Sequence, residues 1–365
     1  MVRMDPRRGR RPNRPFWRRA AISSALLLVA ALSAAAAVRS TSPASRHPLS
    51  QAVPSAPPSS LATPEDDIST PTPPPPAEQA AVQPSRPAGP AAAHVSVPIL
   101  LYHYVRFNPV ATDQVGFELS VTPPNFAEQM GFLRFIGAHT VSLGDLSAAL
   151  AAGRQLPPRS VVLTFDDGYT NFATVATPVM HHDGLAGTVF VVSGFVGHNG
   201  YMNATQVRQV EDLGMVIGCH TVNHLDLASV PLSIARNQIE VSHQALNALT
   251  GHDVLDFAYP YGGFTEAVEK LVLADGFRDA VTTQWGSVEY RNQAMAWPRQ
   301  RIGGHDSIWS FAEKALSGVP VAQVDALVRA YLASPDAASA ASALPTPHPA
   351  TAMGDPQGED WRRQA

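Results

Sequence analysis

The chain has 365 residues, a formal net charge of −4, 45% hydrophobic residues and a single cysteine. This length allows one large domain or two smaller ones. One cysteine excludes an internal disulfide, and the acidic balance beyond residue 19 excludes a basic surface for nucleic acid.

The N-terminal segment has the pattern of an export signal. Residues 1–19 carry eight arginines and one acidic residue, and no charged residue lies between Ala20 and Val38. A basic head before an apolar run is typical of a cleaved signal or of a membrane anchor, with the basic flank in the cytoplasm. Both alternatives stay open for residues 1–39. We expect the rest of the chain to be extracytoplasmic, either membrane-anchored or secreted.

Two further segments have the composition of disordered chain. Residues 40–93 are dominated by Pro, Ala, Ser and Thr and include four consecutive prolines at 73–76. Such a segment cannot bury enough apolar surface to fold, so it is predicted to be an extended linker. Residues 334–365 have the same character and are predicted to be a disordered tail. One folded domain, residues 94–333, remains between them.

This domain alternates strand-like and helix-like stretches. Strands are predicted at residues 97–102, 140–143, 161–164, 187–192, 215–218, 257–259, 280–282 and 301–302. Helices are predicted at residues 123–137, 145–152, 171–182, 203–213, 231–251, 266–274 and 308–316, with a long loop from 104 to 120. The alternation predicts a parallel α/β domain, which at this length closes most naturally as a barrel.

Two motifs at predicted strand ends carry the candidate chemistry. An apolar run ends at Asp166 and Asp167, and a later strand leads to His220 and His224. Buried carboxylates are costly unless a cation holds them, and histidines four positions apart can face one ion. Taken singly, Asp-Asp-Gly is a common turn, and a histidine pair can arise by chance. Their occurrence at the strand ends of one barrel predicts a metal-centred site.

These motifs resemble those of the polysaccharide deacetylases, carbohydrate esterase family 4, in the NodB homology domain. Residues 164–168 and 220–224 resemble the first two signatures of the family, and residues 257–262 resemble the third. The opening residues 98–103 are similar to the branch that deacetylates poly-N-acetylglucosamine. The resemblance implies an incomplete or distorted (β/α) barrel, in a single catalytic domain, that removes acetyl groups from a glycan with one divalent metal.

The resemblance also implies a role for individual residues. Asp167, His220 and His224 resemble the metal ligands, and Asp166 resembles the general base. Two histidines and one carboxylate leave coordination positions open for water and substrate, as in catalytic sites. Zn²⁺ fits these ligands best, with Co²⁺ or Ni²⁺ as alternatives. The backbone N–H of Tyr261 is assigned to the developing oxyanion.

Two features depart from the family pattern. The third signature usually has an arginine that steadies the catalytic aspartate, and this chain has Ala258 at that position. We predict Arg301 as the replacement, with a plain surface arginine as the alternative. The usual late strand with a general-acid histidine is also not evident. We therefore predict His103 as the general acid, with His305 as its rival.

The leading hypothesis is an exported, monomeric, metal-dependent hydrolase. Its substrate would be an N-acetylated glycan of the cell wall or a biofilm, such as poly-N-acetylglucosamine, peptidoglycan or a chitin-like polymer. An acetyl-xylan esterase or another carbohydrate O-acetyl esterase could use the same site. A third hypothesis, motivated by Ala258, is a glycan-binding surface module whose catalysis has decayed. The membrane is a partner only if the N-terminal segment is not cleaved.

Overall fold

The computed structural model describes residues 93–345. Its strands are β1 (His94–Val95), β2 (Ile99–Tyr102), β3 (Tyr104–Val105), β4 (Ser120–Val121), β5 (His139–Thr140), β6 (Ser160–Phe165), β7 (Thr188–Val191), β8 (Val216–Cys219), β9 (Asp256–Ala258), β10 (Asp279–Trp285), β11 (Glu289–Tyr290) and β12 (Trp297–Arg301). Its helices are α1 (Gln114–Leu119), α2 (Pro123–Phe135), α3 (Leu143–Ala152), α4 (Thr177–His182), α5 (Ala204–Asp212), α6 (Leu232–Thr250), α7 (Glu266–Ala274), α8 (Ile308–Ala315), α9 (Val321–Leu332) and α10 (Pro335–Ser339).

Parallel strands form a closed barrel at the centre of the fold. Its seven strands follow the order β2-β6-β7-β8-β9-β10-β12, and β12 pairs with β2 to close the ring. The short β5 is added alongside the beginning of β6. A barrel with one strand fewer than the usual eight confirms the predicted incomplete (β/α) barrel.

The barrel interior is filled by alternate residues of its strands. Six strands contribute an inward side chain to one buried cluster, namely Ile99, Val162, Phe190, Ala258, Val281 and Trp297. The seventh strand contributes Gly218, where a Cβ atom would lie 2.4 Å from the Phe190 ring. Helix α3 adds three leucines to this cluster, and its Ser147 donates a hydrogen bond to Asp279 at the start of β10. The end of the barrel where the strands begin is therefore packed, and the opposite end is left for function.

Two segments show how the structure differs from the predictions. The predicted loop 104–120 contains α1, because the Asp113 side chain accepts a hydrogen bond from the Gly116 N–H and caps the helix. The predicted helix 171–182 is divided into a π-helical turn, Phe172–Ala176, and α4. Pro178, the second residue of α4, has no N–H to continue an α-helical ladder across the junction.

The folded part extends beyond the predicted boundary at residue 333. Tyr331 is buried and donates a hydrogen bond to the Glu128 carbonyl, and Arg134 of α2 forms an ion pair with Asp336 of α10. Leu344 is also buried. The predicted export segment, most of the predicted linker and the end of the predicted tail lie outside the described residues. Among residues 93–345, no helix has the length and apolar character needed to span a membrane.

Candidate metal centre and active site

The inward alternation of two strands delivers the acidic and histidine motifs to the same end of the barrel. In β6, Val162 and Thr164 point inward, so Asp166 continues the same face just beyond the strand. In β8, Gly218 points inward, and His220 continues that face in the same way. Both side chains are buried. The sequence spacing of 54 residues is therefore closed by strand pairing through β7.

Asp167, His220 and His224 form a compact group of possible metal ligands. One ligand atom from each residue lies within 4.8 Å of the other two. The Asp167 Oδ1 atom lies 3.5 Å from the His220 Nε2 atom and 3.2 Å from the His224 Nε2 atom. Burial alone would raise the pKa of Asp167, but the interactions with His220 and His224 outweigh it and hold this pKa well below its usual range.

The hydrogen bonds of the two histidine residues favour metal binding. The Nδ1 atom of His220 lies 2.7 Å from the carbonyl oxygen of Ala258. A carbonyl can only accept, so Nδ1 carries a proton, and Nε2 is the ring nitrogen left to bind a metal. The backbone N–H of His224 donates to the Thr221 hydroxyl at 3.1 Å, which holds the loop between the two histidines.

The donor set fits a divalent metal. Asp167 Oδ1 is a buried oxygen that, within residues 93–345, accepts no hydrogen bond of normal geometry. A buried carboxylate oxygen without a donor is costly, and a cation shared with two imidazole nitrogens would remove that cost. Two histidines and one carboxylate are a common ligand set of catalytic zinc sites. These observations support the predicted ligands.

Several site residues have a strained backbone. Asp167, Thr221, His224 and Tyr261 all have positive φ angles, of 76°, 67°, 54° and 57°. This region is unfavourable for residues other than glycine, and especially for the β-branched Thr221. Such conformations cost about 1–3 kcal/mol each and cluster at functional sites, where the surrounding structure enforces them.

Asp166 is held by an arginine that the sequence analysis did not identify. Both terminal nitrogens of Arg299 donate to the carboxylate of Asp166 at 2.7 Å, and both side chains are buried. Arg299 also donates to the Thr282 carbonyl at 2.8 Å and to the Thr164 hydroxyl at 3.1 Å. Burial would raise the pKa of Asp166, but the charge and hydrogen bonds of Arg299 outweigh it and lower this pKa. Asp166 is therefore kept ionised.

The prediction that Arg301 replaces the missing arginine is wrong. Arg301 is the last residue of β12 and is exposed, whereas Arg299 lies two residues earlier, inside the barrel. The alternation of the strand directs Trp297 and Arg299 inward, so Arg299 lies one step above the apolar layer that contains Trp297. Arg301 has the same parity but lies at the exposed end of β12, so alternation identifies Arg299 only once the strand is extended back to Trp297.

The two candidate general acids lie in different environments. His103 follows β2, and its Nδ1 atom is buried with no hydrogen-bond partner in the described part of the chain. Burial lowers the pKa of His103, although the charges of Asp167 and Asp166 act in the opposite direction. His305 is exposed and contacts Phe117 at a ring-centroid distance of 4.8 Å.

Tyr261 lies next to the metal-binding group on the turn Pro260–Gly262 after β9. Its ring centroid is 4.6 Å from that of His224, and its side chain is 62% exposed. The turn is closed by hydrogen bonds from the N–H groups of Gly262 and Gly263 to the carbonyls of Tyr259 and Pro260. The Tyr261 ring thus lies directly against the metal-binding group.

Tyrosine side chains form one wall beside the acidic motif. Tyr104 stacks on Tyr169 with ring centroids 3.7 Å apart, and Tyr169 contacts Tyr201 at 5.1 Å. The Arg106 guanidinium lies 3.5 Å from the centroid of the Tyr104 ring. Burial, followed by the negative charge of Asp167, raises the pKa of Tyr169 well above its usual range. The Tyr169 hydroxyl is therefore protonated at physiological pH, and the wall offers the aromatic surface that commonly lines ligand sites.

Comparisons with known proteins find similarity to polysaccharide deacetylases. The polysaccharide deacetylase family model matches residues 153–280, which include both motifs. YxkH of Bacillus subtilis (strain 168), whose name places it provisionally among polysaccharide deacetylases, is 27% identical over 199 residues, 54% of this chain and 68% of that protein. The poly-beta-1,6-N-acetyl-D-glucosamine N-deacetylase of Escherichia coli (strain K12) is 40% identical over 62 residues, 17% of this chain and 9% of that enzyme.

A solved structure has the same fold. The Streptococcus pyogenes deacetylase PplD, solved in complex with acetate, aligns with a TM-score of 0.57 at 24% identity and covers 60% of this chain and 98% of that chain. Because the identity is low, this likeness concerns the barrel alone. The family model and the relatives confirm the resemblance stated from the motifs. Residues 153–280 match the polysaccharide deacetylase family, and the protein is a hydrolase of the deacetylase class.

Proposed function

We propose that this protein is a metal-dependent hydrolase that removes N-acetyl groups from an extracytoplasmic polysaccharide. One observation carries the proposal: an Asp-His-His group suited to a metal lies beside a second aspartate whose partner is a buried arginine. A metal site alone could be structural. The ionised Asp166 next to it supplies a base, which a structural site does not need.

The two aspartates have different tasks in this proposal. Asp167, His220 and His224 would hold the metal, which when bound would activate water for attack by lowering its pKa to about 7. Asp166 takes a proton from the attacking water. Both of its oxygens accept from Arg299, but each carboxylate oxygen has a second lone pair, so the base remains available. Arg299 orients the carboxylate and keeps it charged.

The leaving amine needs a proton, and His103 is the proposed donor. It lies at the end of β2, close enough to both aspartates for their charges to affect its pKa. His305 is exposed and contacts Phe117 of α1, so it is less suited to the reaction. The backbone N–H of Tyr261 is the proposed donor to the oxyanion, a role that the contact between the Tyr261 and His224 rings supports.

The proposed substrate is a polymer of N-acetylated sugars. The E. coli relative acts on poly-beta-1,6-N-acetyl-D-glucosamine, as its name states, and the tyrosine wall offers apolar faces and hydroxyls suited to sugar rings. Peptidoglycan and chitin-like polymers have the same N-acetyl group and are further candidates. The apolar segment at residues 20–38 supports action outside the cytoplasm.

Two alternatives make different predictions. An O-acetyl esterase could use the same metal and base, so it differs only in preferring an ester. A decayed binding module was motivated by Ala258, but the ion pair between Arg299 and Asp166 supplies the contact that Ala258 cannot make. The retained base and ligand group therefore favour an enzyme.

Acetate release tests the proposal directly. Protein stripped with a chelator and reloaded with Zn²⁺ is assayed on N-acetylglucosamine oligomers and on acetylated xylan, in parallel with Asp166→Asn. We expect acetate from the oligomers only with metal, and a loss of about 10²–10⁴-fold in the variant, the usual contribution of a general base. Faster release from xylan would favour the esterase, and metal binding without turnover on any substrate would favour the binding module.

A further inference from the structure

The loop between His220 and His224 is held by groups that are not metal ligands. On one side, Ser193 and Gly194, which follow β7, donate their backbone N–H groups to the carbonyls of Thr221 and Val222, each at 3.0 Å. On the other side, Ser242 of α6 donates its hydroxyl to the Thr221 carbonyl at 2.8 Å. The loop is therefore fixed between a turn and a helix.

Gln238 makes the most direct contact from the helix. Its side chain is 5% exposed, and its Oε1 atom accepts the backbone N–H of Val222 at 3.2 Å and that of Asn223 at 2.8 Å. These two residues lie between His220 and His224. The two lone pairs of this one amide oxygen therefore accept hydrogen bonds from two consecutive N–H groups in the loop between the two histidines.

The loop needs this support because of its own conformation. Thr221 and His224 have φ angles of 67° and 54°, which ordinary residues avoid. Hydrogen bonds from outside the loop maintain such angles. Without the acceptor on Gln238, two N–H groups lose their partner, and the loop can relax toward a more usual conformation. That relaxation would change the separation of the two Nε2 atoms.

We propose that Gln238 is a positioning residue of the metal centre and sets its affinity for the metal through the 220–224 loop. This inference rests on the metal site of the proposed function. Groups that orient metal ligands from outside typically contribute 10–100-fold to metal affinity. Gln238 acts through the loop backbone and not on a ligand ring, so we expect the lower end of this range, about tenfold.

Metal binding by the full chain tests the inference. Gln238→Met keeps the length and helix propensity of the side chain but removes the acceptor. Gln244→Met is the matched control, because Gln244 is exposed on the same helix. The dissociation constant for Zn²⁺ is measured by competition with a chromogenic chelator, and the ligand geometry is followed in the visible absorption of the Co²⁺-loaded protein. Circular dichroism monitors the fold.

We expect Gln238→Met to bind Zn²⁺ about tenfold more weakly and to change the Co²⁺ spectrum. Gln244→Met should match the wild type, and Gln238→Glu, which keeps an acceptor of the same length, should recover most of the affinity. If Gln238→Met folds poorly, Gln238→Asn withdraws the acceptor by one methylene and should weaken binding in the same way. Wild-type affinity and spectrum in the folded variants would overturn the role of Gln238 alone. A wild-type protein that binds no metal would overturn the proposed site as well.

Discussion

Replacing Arg299 by methionine is the sharpest test of how the general base is maintained. The guanidinium makes two hydrogen bonds of 2.7 Å to Asp166 in a buried setting, with Arg299 1% and Asp166 3% exposed. Removing one partner of a buried ion pair costs about 3–5 kcal/mol, because the other charge is left without compensation. Methionine fills much of the same volume, so most of the loss comes from charge and not from a cavity.

The pH dependence gives the sign of this effect. In the wild type the pKa of Asp166 is below its usual value, because Arg299 outweighs burial. The stabilisation supplied by the ion pair between Arg299 and Asp166 is therefore fully present above the usual aspartate pKa. It is lost as the pH falls through the lowered pKa of Asp166. In Arg299→Met burial remains and raises the pKa, so the native state holds a proton that the unfolded state releases. The destabilisation then grows as the pH rises above about 4.

Two measurements follow this change. Urea unfolding between pH 5 and 8 should show a loss of up to about 3–5 kcal/mol at neutral pH. The acidic limb of kcat/KM for acetate release should move to higher pH, because the base must be ionised to act. Arg301→Met is the matched control, since it removes an exposed arginine from the same strand. Equal losses in the two variants, or a greater loss in Arg301→Met, would refute the assignment of Arg299.

Three further predictions concern other residues. Burial raises the pKa of Glu289 to about 8. The free energy of unfolding should therefore fall by roughly 4–5 kcal/mol as the pH rises from 4.5 to about 8. Glu289→Gln should remove this slope in unfolding titrations, and an unchanged slope would contradict the prediction. Gly194→Ala places a Cβ atom 2.4 Å from the Val222 carbonyl oxygen and should therefore weaken zinc binding, measured by chelator competition. A zinc affinity at the wild-type level would contradict this prediction. His103→Gln should slow N-acetyl hydrolysis by about 10²–10⁴-fold but spare 4-nitrophenyl acetate, whose leaving group needs no proton; equal losses on both substrates would exclude a general acid.

The barrel and the group of metal ligands could be predicted because the signals are local. An apolar strand of period two indicates its inward face, and the residues directly after it inherit that face. Asp166 and His220 follow their strands in this way. Parallel pairing then brings the carboxyl ends of the strands to one rim without any further information from sequence.

The contact between Arg299 and Asp166 could not be predicted with the same ease. The observed strand β12 is Trp297–Arg301, whereas the sequence analysis placed a strand only at 301–302. Pro298 and the polar residues around it argue against a strand, because proline cannot donate to the ladder. Only with the strand in place does alternation direct Arg299 inward. The alanine-rich chain after residue 333 was missed for a related reason, since packing against α2 orders it and its own pattern does not.

Ala258 and Arg299 can be understood as one arrangement of the barrel interior. Ala258 is fully buried in the inner cluster, and its carbonyl accepts the proton of the His220 ring. The guanidinium of Arg299 lies 5.8 Å from the Phe190 ring centroid, so it occupies the space above the same apolar layer. An interior packed to crystal density has no room for a second arginine, and Asp166 has its two oxygens already bonded to one. An arginine at position 299 therefore requires a small residue at position 258. Ala258 on its own is no evidence that the catalytic site has decayed.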